Sequence, residues 1–141
     1  MKDIEIAKKL LIDENQALVV VKNGEVIYKS VEKGIKPMYI LSTEMKSEAK
    51  GASLADKVIG RGAALLCGYV EIKEVYTDLI SEGGIAALGE YNIPYEMEKS
   101  CQYIMNKDKT SYCPIEKLSL DTDDPALLLQ SIKEFFASFK K

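Results

Sequence analysis

The sequence predicts an α/β domain in which a mixed sheet lies between layers of helices. Three observations carry that expectation. Asn23-Gly24 joins two β-rich runs, which reads as a hairpin. Beyond it, segments with helical apolar spacing alternate with short β-rich runs, the pattern of strands and helices interleaved. Finally, 141 residues with 47% hydrophobic and 29% charged side chains suit one soluble domain, spanning 1–141, with a real core.

Taken in order, Asp3 to Glu14 is an amphipathic helix with Ile4, Ala7, Leu10 and Leu11 on one face. The run Ala17 to Val21 is apolar on both faces, so that strand is expected inside the sheet and covered on both sides. Pro37 suits the first turn of a short helix reaching about Lys46, with Met38, Leu41 and Met45 buried. "EAKGAS" is a break. Ser53 is then expected to N-cap a helix through Leu66, with Leu54, Val58, Ile59, Leu65 and Leu66 on one side. In that helix Gly60 and Ala64, four apart and small, would admit a close neighbour on the second side. "YVEIKEVYTDLI" is a strand candidate, and Ser81 caps a helix from Glu82 to Tyr91 that Asn92 and Pro94 end. "YEMEKSCQYIMN" fits strand or helix, Lys107 to Tyr112 is a polar loop, and the end of "CPIEKLSL" is a strand candidate. Asp124 caps and Pro125 opens a last helix to Phe139, with Leu128, Ile132, Phe135, Phe136 and Phe139 inward.

Composition removes several classes of function. A net charge of −3 with scattered basic residues leaves no footprint for nucleic acid. Apolar runs are too short for a membrane span, and the charged N-terminus does not suit a signal peptide, so the cytoplasm is the expected compartment. No histidine occurs, which removes the usual base near neutral pH, the commonest metal ligand, and Ser-His or Cys-His nucleophile pairs. Cys67, Cys101 and Cys113 lack the close pairing of zinc ligands, so no metal and no cofactor is expected.

The order of helix, Asn-Gly hairpin, "ADKVIGRGAALL", "EVYTDLIS", the helix from Ser81 and the later "CPIE" resembles a small prokaryotic family of unknown function. The fold of that family is similar to that of cytidine deaminases. The resemblance implies a three-layer α/β/α sandwich around a mixed sheet of about five strands. Zinc deaminases carry H-x-E at one helix start and P-C-x-x-C at the next. The corresponding stretches read here as Ala55-Asp56-Lys57 and Ser81-Glu82-Gly83-Gly84, without zinc ligands, so zinc-dependent deamination is not expected.

Two helix N-termini, at Ser53 and Ser81, are expected to meet at one edge of the sheet. Their N–H groups, with Asp56, Lys57 and Gly83, would hold a small anionic or nucleotide-like ligand; capping alone explains the same residues. Gly83-Gly84 lacks the Lys-Ser/Thr of a phosphate loop and fits tight helix packing equally well. Asn106, Cys113 and Glu116 belong to an element that recurs in the resembling family, and Glu116 lies close enough in sequence to serve Cys113 as a base. Glu116 would also raise the thiol pKa, which disfavours a ready thiolate. The expected function is therefore binding of a small metabolite. Two alternatives stand beside it: a metal-independent enzyme using Asp56, Glu116 or Cys113, and a self-associating regulatory subunit.

Overall fold

The computed structural model describes residues 1–105 and 113–138. Helix α1 (Asp3–Asp13) leads into the hairpin of β1 (Leu18–Lys22) and β2 (Glu25–Ser30). Helices α2 (Lys36–Glu44) and α3 (Lys46–Ala49) follow, then β3 (Ser53–Ile59), α4 (Arg61–Val70), β4 (Glu74–Ser81), α5 (Glu82–Glu90) and β5 (Tyr95–Cys101). Helices α6 (Pro114–Ser119) and α7 (Pro125–Ala137) complete the described residues.

The strands form one five-stranded sheet in the order β2-β1-β3-β4-β5. β1 runs antiparallel to both β2 and β3, while β3, β4 and β5 are parallel, each joined to the next by a helix. Helix α1 covers one face, where Ala7, Leu11, Val19, Val21, Ala55 and Tyr76 pack together. The other face carries the larger core, in which Leu18, Val20 and Leu54 meet Met38, Leu41, Leu65, Leu66, Leu88, Leu128 and Ile132. The result is a three-layer α/β/α sandwich with a mixed sheet, as the alternation of elements predicts. No helix among the described residues is long and apolar enough to cross a membrane.

The hairpin forms where Asn23-Gly24 predicts it. Both residues take positive φ, 53° and 79°, which matches the right-handed twist of the flanking strands. Asp3 reinforces the turn, accepting the N–H of Asn23 at 2.9 Å and of Gly24 at 2.8 Å. Ser81 caps α5 through the Gly84 N–H at 3.0 Å, and Asp124 caps α7 through the Ala126 N–H at 2.9 Å.

One long segment folds otherwise than expected. Ser53 does not cap a helix; residues 53–59 are the central strand β3. Leu54 and Ala55 are both fully buried but belong to clusters on opposite faces of the sheet. A strand covered on both sides loses the alternation that would mark it, and its apolar run merges with that of the helix behind it. The helix begins only after Gly60, which is its extended N-cap at φ −94°, ψ −174°, not an interior residue. Helix α4 is buried almost throughout, from Gly62 to Cys67 and again at Val70.

Three smaller differences follow from similar causes. Tyr69 and Val70 close α4 rather than open a strand, because Glu71 turns into the left-handed region at φ 65° and β4 starts at Glu74. "YEMEKSC" resolves to the edge strand β5. "CPIEKLS" is the short helix α6, with Pro114 at its first position, rather than a strand end. Phe139 and the loop from Lys107 to Tyr112 lie outside the described residues.

Candidate functional site

Between the sheet, the start of α2 and the α4–α6 junction lies a cavity of about 330 Å³. Its walls are largely apolar, with Leu18 from β1, Ile35 and Met38 around the start of α2, Ala63 from α4, and Ile104 and Ile115. Exposed Glu32, Lys33 and Val58 also border it. Its distinctive polar groups are Asp56, Glu116 and Cys113.

Asp56 stands on β3 with Leu18 of β1 on one side and Thr77 of β4 on the other. Its Oδ1 accepts the Val58 N–H at 3.3 Å, a local bond from a side chain to the backbone two residues on. The residue is only half-buried by its solvent exposure, yet desolvation of its carboxyl pushes the pKa up from 3.8 to about 7. The N–H groups of Val58 and Lys57 oppose the rise, and the charge of Asp78 adds to it.

Glu116 is 3% exposed and joins three segments. Oε1 accepts the N–H of Arg61, the first residue of α4, at 2.9 Å, and Oε2 accepts the N–H of Ile104 at 2.8 Å. A carboxylate at the positive end of α4 satisfies an otherwise orphaned donor and opposes the helix dipole. The carboxylate lies directly on Gly60, where an added Cβ would sit 2.9 Å from Oε1 and 3.1 Å from Ile104. That contact, not conformational freedom, is why residue 60 is glycine. Cys113 is the N-cap residue of α6; its N–H donates to the Ile104 carbonyl at 2.9 Å and its thiol is half-buried.

Arg61 draws the α6–α7 segment onto the same junction. Its Nε donates to the Ser119 carbonyl at 2.9 Å, and its terminal nitrogen donates to the Thr122 carbonyl at 3.2 Å and pairs with Asp123. No signal in the sequence singles out this role, because its three partners lie far along the chain.

The structure thus brings Asp56, Lys57, Cys113 and Glu116 to one cavity although they are dispersed in sequence. The Lys57 ammonium donates to the side chain of Asn15, beyond α1. Ser53 starts β3 and its hydroxyl bonds Glu74 at 3.3 Å. The expected meeting of N-termini at Ser53 and Ser81 therefore does not occur, because Ser53 begins a strand. The starts of α4 and α5 do meet: the Gly84 Cβ position lies 3.0 Å from the Ile59 carbonyl oxygen and 3.3 Å from that of Gly60. Gly83 packs on the Arg61 side chain, beside a separate hollow that includes Glu82 and Gln102. Asn106 lies outside the described residues. Sequence reasoning missed the wall from Glu32 to Met38; the one local hint is Gly34, which takes φ 95° beside Pro37.

Among the described residues, no three Cys, Asp or Glu side chains gather closely enough to hold a metal ion.

No curated protein matches the chain. Among solved structures, a DUF1893 family protein (TM1506) from Thermotoga maritima is similar, at 24% identity and a TM-score of 0.85, covering 95% of this chain and 90% of that one. At that identity the likeness speaks for the fold. The model of the domain of unknown function DUF1893 matches residues 6–136, nearly the whole length, and the chain belongs to that family.

Proposed function

We propose that the cavity beside Asp56 binds a small metabolite of about nucleobase or nucleoside size, on a deaminase-like scaffold that works without zinc. The observation that carries this reading is one partly enclosed, mainly apolar cavity on which a carboxylate with a strongly raised pKa converges. Apolar walls with a few placed polar groups are the usual make-up of a ligand site, and perturbed titratable groups concentrate at such sites. The opening helix and hairpin, followed by the parallel run of β3, β4 and β5, support the scaffold assignment. Zinc does not fit the donor set: one thiol faces the cavity, and both Glu116 oxygens already accept backbone N–H groups. Three free cysteines support a reducing, cytoplasmic setting.

An enzymatic reading rests on a narrower observation. A carboxyl that titrates at about 7 is matched to proton transfer near neutral pH, so Asp56 would be the acid/base and Cys113 a neighbour on the same wall.

The binding reading is tested by adding mixtures of nucleosides, nucleotides and small aromatic amides at millimolar concentration to the isotope-labelled full chain. Amide shifts are expected at Leu18, Val58 and Ala63, all bordering the cavity. Val58 is 42% exposed, so Val58→Trp can be accommodated and should block the mouth and abolish the shifts. Silence from every compound, or shifts unchanged by Val58→Trp, would overturn the proposal.

A further inference from the structure

Taking the cavity as a ligand site, we infer that it selects a positively charged, hydrogen-bond-donating head group of the amine or amidinium class, held by Asp56, rather than an anion. The charges around the cavity point that way. Among the described residues, no Lys or Arg pairs with Asp56; it accepts instead from backbone N–H groups of its own strand end. Among the described residues Glu116 is likewise bonded to neutral backbone donors, and no Lys or Arg there pairs with it. Among the described residues, the two lysines that border the cavity pair with neither carboxylate. Lys57 is engaged by Asn15 and Lys33 is exposed at the mouth. Glu32, also at the mouth, lies 3.9 Å from Lys36.

Two helix-start donors that would suit an anion are already in use. The Arg61 N–H at the start of α4 is bonded to Glu116, and the Gly84 N–H in the first turn of α5 is bonded to Ser81. An anion entering here would lose its hydration beside the carboxyl groups of Asp56 and Glu116. A cation with two or more N–H groups would instead pair with the half-buried Asp56 through charge-assisted bonds, which are stronger than neutral ones. The apolar walls from Leu18, Ile35, Met38 and Ala63 suit a flat hydrocarbon ring behind such a head.

Three compounds of nearly one shape separate the charge classes: benzamidinium, benzamide and benzoate, titrated into the full chain at pH 8. Benzamidinium is expected to bind at least tenfold more tightly than benzamide, with benzoate weakest, and to shift the amides of Asp56, Val58 and Ala63. The preference should also follow pH. Burial raises the Asp56 carboxyl to about 7, with Asp78 adding and the Val58 and Lys57 N–H groups opposing. Below that value a proton competes with the cation, so benzamidinium, charged throughout, should bind about tenfold more weakly at pH 6 than at pH 8. Asp56→Asn should remove both the preference and its pH dependence while benzamide binding persists. Equal or tighter binding of benzamide or benzoate, or a preference that survives Asp56→Asn, would overturn the charge class and leave the cavity reading standing. Silence from all three, together with silence from the wider mixture, would overturn both.

Discussion

Glu116 looks, as a residue type beside a cysteine, like a general base, yet its surroundings make it a structural clip. Both oxygens accept backbone N–H groups from segments far apart in the sequence, and the side chain is nearly inaccessible. Truncating it would leave the Arg61 and Ile104 donors without their charged acceptor, and each such loss costs about 1–3 kcal/mol. Glu116→Ala is therefore expected to destabilise the fold by about 3 kcal/mol in urea unfolding. Glu116→Gln should cost less, since it keeps one acceptor but turns an NH2 toward the other donor. Gly60→Ala acts on the same contact from the other side, forcing its Cβ against the carboxylate, at a cost of about 1–3 kcal/mol. Because the two residues share one contact, the double variant should be less destabilised than the sum of the singles. Strict additivity in that cycle would show that glycine is required at position 60 for another reason. The sequence could mark Glu116 as chemically notable but could not show its partners, which lie 55 and 12 positions away.

At the scale of elements, legibility followed how each segment meets solvent. The hairpin was readable because its turn needs positive φ and only a few residues tolerate it. Asp3 adds a contact invisible in local sequence, fastening the start of α1 to that turn. Gly24→Ala meets nothing within 4 Å, so its cost is conformational, about 1–2 kcal/mol. Asp3→Ala should cost about 1 kcal/mol, because the freed N–H groups are exposed and water can replace the carboxylate. Urea midpoints check both, and a neutral Gly24→Ala would contradict the strained turn. By contrast β3 was misread, and the cause is its position. It is the middle strand, Leu54 and Ala55 are buried on opposite faces, and Gly60 ends it without proline or a polar cluster. With period 2 erased by burial, its alanine, leucine, aspartate and lysine look helical. Helix α6 was misread because six residues are too few to show a period. The candidate site was legible in part: Asp56, Cys113 and Glu116 stood out by chemistry, while the wall from Glu32 to Met38 has ordinary residue types and is recognisable only once the topology closes it.

For the molecule as a whole, the fold holds a carboxyl in a setting that opposes its charge, and that has a consequence for stability. Asp56 titrates at about 7 when folded and near 3.8 when exposed. Between those values the native protein retains a proton that the unfolded chain has already released. The contribution of Asp56 to stability therefore falls as pH rises from about 4 to about 7 and levels off above that, the opposite of a carboxylate stabilised by an ion pair. Ionised Asp56 costs the fold on the order of a few kcal/mol at pH 8. Asp56→Asn keeps the size and one acceptor for the Val58 N–H but removes the titration. The variant is expected to be more stable than the natural chain at pH 8, by a margin that shrinks toward zero near pH 4, where both side chains are neutral. Unfolding followed at several pH values measures the difference directly, and subtraction cancels the groups the two proteins share. A variant less stable at pH 8, or a margin that does not shrink on acidification, would mean that Asp56 is not held against its charge. If the margin behaves as expected, the fold tolerates an aspartate where asparagine would stabilise it, as it would at a site kept for binding rather than for packing.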